Sequence, residues 1–311
     1  MTEEPSQSWL NLQVTVGAEE IDEAEQTLFD LGAVSISLLD AADHPLHEPG
    51  PGEMPVWPKV VVQALLPGSV SRALVTDALL KTGLIDAATA LAWSDLVDRD
   101  WTRAWMDRYR PMQFGHGLWI CPSHVDPDPA WPLVIKLDPG LAFGSGTHPT
   151  TALCLEWIAA LEPDIERVID FGCGSGVLAI AAALKGAREV IAIDHDPQAL
   201  SATLENARRN AVADRITAIA PLALNDRMAR GETAQLVVAN ILARPLIDLA
   251  PTLAHRVEPG GALVLSGILP EQAEAVAEAY RSLDPQPTIT QRDGWVRIVC
   301  RAYSRPHPRT V

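Results

Sequence analysis

Residues 166–182 read ERVIDFGCGSGVLAIAA. The apolar run up to Asp170 predicts a strand, Gly172-x-Gly174-x-Gly176 a tight turn, and the alanine-rich stretch beyond it a helix. Glycines let such a turn tighten and bring main-chain N–H groups towards a ligand with no Cβ in the way. The helix start also favours partial negative charge.

What the turn binds is narrowed by its neighbours. Position 177 is Val, where the dinucleotide pattern G-x-G-x-x-G has its third Gly, so the close helix–strand approach over a pyrophosphate is lost. Asp170, just before the turn, repels a diphosphate but orients the turn and draws a cationic amino group. Asp194 ends the next predicted strand, 22 residues after Gly172, in place to accept hydrogen bonds from ribose hydroxyls. A ligand with a ribose, an amino-acid cation and no phosphate is S-adenosylmethionine. A nicotinamide or flavin dinucleotide is the rival, with Val177 against it.

Outward from this unit, strands are predicted at Glu189–Ile193, Ile216–Ala220, Ala234–Ala239 and Ala262–Ser266, with a late one at Gly294–Tyr303. Helices are predicted at Pro197–Asn210, Ile247–Arg256 and Glu271–Arg281. Near-continuous apolar strands between helices make this an α/β fold with a Rossmann-like, doubly wound and mostly parallel sheet. In such sheets ligands sit beyond the carboxyl ends of the strands. Asn240, ending AQLVVAN (234–240), is well placed there: its oxygen accepts from an amine, or its side chain caps the next helix. Upstream, LDPGLAFGSGTHPTT (137–151) is a second glycine-rich turn. Thr150 or Thr151 either satisfies helix N–H groups or faces the cofactor. His148, with no serine or cysteine at recognisable spacing, is structural or substrate-facing rather than a general base.

The front part reads β-α-β, loop, β-α-β. Strands are predicted at Trp9–Val16, Ala33–Leu39, Val56–Leu66 and Ala88–Leu96, and helices at Ala18–Leu31 and Ser71–Lys81, around a proline-rich loop at 44–55. Two such units make a small α+β ferredoxin-like domain. The expected division is 1–97 for that domain, 98–130 for a linker helix and irregular connecting segment, and 131–311 for the cofactor-binding domain. Trp101 and Trp105 share one face of the linker helix and dock it on the body.

Composition, with 48% hydrophobic and 21% charged residues, is that of a globular protein rather than a disordered chain. A net charge of −16 argues against a nucleic-acid binder with a broad basic surface. Residues 1–100 hold 17 Asp or Glu against 4 Lys or Arg, a net of −13. Such a front module steers a basic partner, or merely keeps the protein soluble. Neither a signal-like start nor an apolar run of the 18 or so residues needed for a membrane span is present, so a cytoplasmic monomer without membrane attachment is expected. Cys121, Cys154, Cys173 and Cys300 are scattered, which predicts reduced thiols and no metal site.

Several segments carry a resemblance: GAVSISLLD (32–40), RDWTRAWMDRYRPMQFGHGLWICPS (99–123), LDPGLAFGSGTHPTT (137–151), VIDFGCGSGVLAIAA (168–182) and VVANILARPL (237–246). Together they resemble the bacterial methyltransferases that modify the stalk-base protein numbered eleven of the large ribosomal subunit. The glycine turn is generic to class I methyltransferases; the long glycine-rich segment joined to ANILA is far more specific. The resemblance implies a ferredoxin-like domain that recognises that basic ribosomal protein. A Rossmann-like domain would then methylate the partner's N-terminal α-amine and lysine ε-amines and release S-adenosylhomocysteine. It puts cofactor contacts on Thr151, Gly172, Asp194 and Asn240, beside Asp170 and Gly174 of the turn, with Asn240 near the reacting methyl and amine. Ser145 stands where the family more usually has threonine, which keeps a hydroxyl, and His195 where a neutral residue is common. Two other classes stay open. A nucleic-acid or small-molecule methyltransferase would favour N-P-P-Y over Asn240-Ile241-Leu242-Ala243, and a cofactor-binding protein without turnover would show no methyl transfer.

Overall fold

The computed structural model describes residues 8–42, 57–97, 109–138, 146–162, 165–223 and 232–302. The expected loop at 44–55, the Trp101–Trp105 pair and residues 139–145 of the second glycine-rich turn lie outside them. The chain divides into two compact units, Met1–Thr102 and Arg103–Val311.

The first unit runs β1 (Ser8–Gly17), α1 (Ile21–Asp30), β2 (Ser35–Asp40), β3 (Lys59–Pro67), α2 (Arg72–Thr82) and β4 (Leu91–Val97). The sheet order is β2-β3-β1-β4 with every pair antiparallel, the ferredoxin-like arrangement. Alternation decides the faces. Leu10, Leu12, Val14 and Val16 of β1 and Val60, Val62, Ala64 and Leu66 of β3 are buried against Ile21, Ala24 and Leu28 of α1 and Val75 and Leu79 of α2. Ser71 caps α2 through Leu74 N–H, and Gly83 ends it in the left-handed region at φ +81°. Acidic Asp22, Glu23 and Asp30 are exposed on α1. The opposite sheet face carries uncharged groups at Asn11, Gln13, Thr15, Val61, Gln63 and Leu65, with Gln13 donating to Gln63 at 3.0 Å.

The second unit is built on a seven-stranded sheet. Its elements are α3 (Pro149–Ala159), β8 (Arg167–Phe171), α4 (Val177–Leu184), β9 (Glu189–Ile193), α5 (Pro197–Arg209), β10 (Ile216–Ile219), β11 (Ala234–Asn240), α6 (Ala243–Asp248), α7 (Ala250–Ala254), β12 (Val257–Ile268), α8 (Ala273–Ala279), β13 (Thr288–Arg292) and β14 (Trp295–Arg301). The order β10-β9-β8-β11-β12-β14-β13 is parallel through β12, and β14 is antiparallel to both its neighbours. This is the doubly wound, Rossmann-like sheet of the sequence reading, and it departs from the dinucleotide order 3-2-1-4-5-6 by the inserted β14. Side chains alternate between two apolar layers: Val168 and Val238 face α3, α4 and α5, whereas Ile169, Val237 and Ala239 face α6, α7 and α8. Burial on both faces explains why these strands read as continuous apolar runs.

Three expectations are corrected. Residues 112–121, expected as part of the linker helix and connecting segment, instead hold β5 (Met112–Phe114) and β6 (Leu118–Cys121), which form a small sheet with β7 (Leu133–Lys136). Phe114, Leu118 and Ile120 join the core beside α3; strands this short carry too little alternation to read in advance. The helix expected at Ile247–Arg256 begins at Ala243 and breaks between α6 and α7, where Pro251 cannot donate within a continuous helix. The late strand has a hairpin partner, β13, joined through Asp293 and Gly294 at φ +48° and +76°, the positive pair a tight hairpin turn requires.

Tyr280 gives a test of the layer under α8. It is fully buried, and its hydroxyl donates to the Leu246 carbonyl of α6 at 2.6 Å. Tyr280→Phe should lower unfolding free energy by about 1 kcal/mol while leaving turnover alone. Urea denaturation with an unshifted midpoint would show that this bond adds nothing to stability.

Candidate functional site

The chain runs from β8 to one side of the sheet and returns to its other side at β11, so the crevice between them is where such a fold binds ligands. Gly172 follows β8, Asp194 follows β9 and Asn240 ends β11. All three line one cavity of about 750 Å³, in the range of cofactor sites. Phe171, Ile193, Ile241 and Leu242 give it apolar walls, and His148 and Trp295 stand on its rim with rings 4.8 Å apart, edge to face. Among the described residues that line it there is no Lys or Arg.

The glycine turn does less with its amides than the sequence reading expects. Gly172 and Cys173 N–H both donate to the Ile193 carbonyl, at 2.8 and 3.0 Å, and Gly174 N–H donates to Asp194 Oδ2 at 3.0 Å. Val177 N–H lies 3.4 Å from Ser175 Oγ, and Ala179 N–H donates to Asp170 Oδ2 at 3.0 Å. These groups are satisfied by the protein and are not a phosphate cradle. On the carbonyl side, Thr203 Oγ1 donates to Gly174 O at 3.1 Å and Asn206 Nδ2 to Ser175 O at 2.9 Å, both from α5.

Asp170, Gly174 and Thr151 stand behind the cavity wall, not on it. Asp170 is 1% exposed, and its Oδ1 is buried with no hydrogen-bond partner. Burial raises its pKa to about 7, against the lowering effect of the Ala179 N–H, with the Asp194 charge adding to the rise. Thr151 is fully buried and accepts from Asn240 Nδ2 at 3.2 Å. The helix-cap alternative for Asn240 is thereby excluded, because the N-cap of α6 is Leu242 and no side chain caps it. With its NH₂ turned to Thr151, Asn240 keeps Oδ1 as an acceptor with no partner among the described residues.

Asp194 is 9% exposed; Oδ1 accepts from Asp196 N–H at 3.0 Å, and His195 Nδ1 is 3.5 Å away. A carboxylate oxygen accepts more than one bond, so both retain capacity for ligand hydroxyls. His148 caps α3: its Nδ1 lies 3.4 Å from Thr150 N–H and 2.7 Å from Thr150 Oγ1, and burial lowers its pKa. Burial there favours the neutral imidazole.

Trp295, Gly267, Thr203 and Asn206 were not singled out from sequence. The Asp293-Gly294 dipeptide between two β-prone runs was the available signal for Trp295. The other three depend on contacts between distant elements and have no local signal.

A family model described as "Ribosomal protein L11 methyltransferase (PrmA)" matches residues 8–303. Ribosomal protein L11 methyltransferase of Methylococcus capsulatus is 47% identical over 294 residues, covering 93% of this chain and 98% of its own. That of Actinobacillus succinogenes is 46% identical over 292 residues, covering 94% and 98%. Among solved structures, the ribosomal protein L11 methylase from Lactobacillus delbrueckii subsp. bulgaricus aligns with a TM-score of 0.56 at 32% identity, over 63% of this chain and 100% of that one.

Asp170 makes stability depend on pH in a defined direction. Its folded pKa, about 7, lies above the unfolded value, so the folded state holds the extra proton between roughly pH 4 and 7. The contribution is fully present below that window and is lost as pH rises through 7, by at most roughly 1.4 kcal/mol per pH unit. In ligand-free protein, Asp170→Asn should shrink the drop in melting temperature between pH 5 and pH 8. Parallel pH profiles for the two proteins would contradict the assignment.

Proposed function

Because the chain belongs to the ribosomal protein L11 methyltransferase family, we propose that it methylates the N-terminal α-amine and lysine ε-amines of that ribosomal protein. It is a methyltransferase that uses S-adenosylmethionine. The observation that carries the amine assignment is Asn240, whose Oδ1 is left as an open acceptor at the carboxyl end of β11 in the cavity that also holds Asp194.

The residues present fit this cofactor. Asp194 accepts from ribose hydroxyls, and Gly172, with Ile193 and Ile241, forms a close apolar wall for the nucleoside. A diphosphate would meet a carboxylate, no described cation and few open amides. Asp170, Gly174 and Thr151 act from behind, holding the turn, the ribose carboxylate and Asn240 respectively. Among the described residues no group of three or more His, Cys, Asp or Glu is placed to hold a metal.

When bound, S-adenosylmethionine supplies a methyl group already activated on a sulfonium, so the protein's task is alignment at near-attack distance. Asn240 Oδ1 accepts an N–H of the amine and directs its lone pair. The amine must arrive uncharged, which is harder for lysine, with a pKa of about 10.4, than for an α-amine near 7.8. Around Asn240 the cavity offers neutral groups: Thr150, Trp295, Gly267 and neutral His148. Partial desolvation there lowers the lysine pKa, where a carboxylate would raise it. No residue is assigned as an obligatory base.

The first unit (1–97) docks the basic substrate through its net negative charge, residues 98–130 connect and contribute β5 and β6 to the second unit, and 131–311 carry out the transfer in the cytoplasm. No described helix is long and apolar enough to cross a membrane. A monomer needs no second copy for this scheme.

Two substitutions separate the roles. Asp194→Ala should weaken S-adenosylhomocysteine binding by at least about tenfold in calorimetry, with the fold intact. Asn240→Ala should lower kcat far more than cofactor affinity, the mark of an interaction made mainly in the transition state. Unchanged kcat in a folded Asn240→Ala protein would remove the amine-orienting role. Docking has its own readout. Raising salt from about 50 to about 500 mM should raise KM for the ribosomal protein several-fold and leave cofactor affinity unchanged, because exposed charges are screened. A salt-independent KM would leave the acidic surface as a solubility feature.

A further inference from the structure

Asn240 is held on one side by Thr151. What holds its backbone is a contact between two main chains. β12 runs parallel to β11, pairing Asn240 with Ser266, and its register with β14 shifts between Leu265 and Ile268. That shift is a β-bulge, which inserts a residue and bends the strand. Gly267 lies in the bulge at φ +86°, and a Cβ added there would fall 2.2 Å from Ile241 O and 2.8 Å from Ile241 C. Both are backbone atoms, so no side-chain rotation would relieve the overlap. On its other side Ile241 packs its Cγ2 over Gly172, 2.2 Å from where a Cβ would be. Ser266 Oγ, fully buried, donates to Val296 O at 3.2 Å and ties the bulge to β14.

We propose that Gly267 is a positioning residue for methyl transfer: its bare backbone is the seat on which the Ile241 main chain rests, with Ile241 O, C and N at 2.2, 2.8 and 3.3 Å from where a Cβ would stand, and through that chain it sets where Asn240 Oδ1 meets the amine. The inference rests on the amine-orienting role given to Asn240. It goes beyond that role by assigning a residue that acts through the placement of Asn240. Both glycines are needed because Ile241 passes between them: one admits its side chain, the other its carbonyl. A methyl group at 267 forces the Ile241 main chain to move and Asn240, the residue before it, to move with it, and misplacement of a reacting group by about 1 Å can cost about 10²-fold in rate. Asp194 and its partners Gly174 and Asp196 lie on the β9 side and keep their bonds, so cofactor affinity falls much less than turnover.

The test is a cycle on the full chain of wild type, Gly267→Ala, Asn240→Ala and the double variant. Single-turnover methylation of the ribosomal protein and calorimetry with S-adenosylhomocysteine are measured for each. Gly267→Ala should lose about 10²-fold in the rate of transfer with cofactor Kd within about threefold. In the Asn240→Ala background the same change should cost less than about threefold, because the group it positions is gone; a merely structural glycine would cost the same in both backgrounds. A near-normal rate in Gly267→Ala beside an impaired Asn240→Ala overturns this inference alone. An unimpaired Asn240→Ala overturns the role of Asn240 and this inference with it. Should Gly267→Ala not fold, Ser266→Ala loosens the bulge without adding an atom. A loss of about fivefold that disappears in the Asn240→Ala background supports the proposal, and a wild-type rate overturns it.

Discussion

The start of α4 is buried, and buried N–H groups must find acceptors inside the protein. Asp170 on β8 answers Ala179, Ser175 answers Val177, and the β9 end answers the turn through Ile193 O and Asp194. Meeting this requirement joins β8, β9 and α4 at one point, and α5 closes the arrangement by taking two carbonyls of the turn. Asp194 therefore holds the turn through a carboxylate that also lines the cavity. A group fixed by two backbone N–H bonds loses little freedom when a ribose arrives, which is how a site becomes preorganised.

The same bonding bears on phosphate binding, a question that glycine spacing alone leaves open. A phosphate site needs free amides or cations. Here the amides at the turn are largely used within the protein, and the described wall carries Asp194 rather than Lys or Arg. Asp170 adds to this from below. A carboxyl pushed up to about 7 by burial is poised between charged and neutral forms near physiological pH, and a cation in the cavity would favour the charged one. The opposite wall is built differently. Around Asn240 the partners are neutral and the control is steric: Thr151 Oγ1 on the side chain, and Gly172 and Gly267 around Ile241. Charge thus belongs to the Asp194 side of the cavity, and shape to the Asn240 side.

In the first unit charge is distributed unevenly among the elements. Exposed Asp22, Glu23 and Asp30 of α1 stand beside exposed Gln26 and Phe29, whereas the open sheet face presents mainly amides, hydroxyls and aliphatic groups. α2 carries Arg72 and Lys81 against Asp77, so the net charge of −13 over residues 1–100 comes from α1, from Glu19 and Glu20 just before it, and from residues outside the helices. A basic partner approaching this unit meets a directional field, the condition for steering.

The sequence by itself determined the strand–turn–helix at 166–182, the carboxylate at Asp194 and the amide at Asn240. Each is written in a local pattern: an apolar run, a glycine spacing, a polar residue at a strand end. The two-unit α/β plan was equally legible, because apolar periodicity repeats within each element. Only the tertiary structure decided what those groups do to one another. Asn240 finds Thr151, 89 residues away, and so cannot be a helix cap; Gly267 meets Ile241 because a bulge in β12 brings it there. The turn amides looked open to a ligand until Ile193, Ser175, Asp170 and Asp194 were seen to accept from them. Periodicity reports which face a residue occupies, whereas hydrogen-bond partners and close backbone approaches depend on strand order and register, which no local pattern contains.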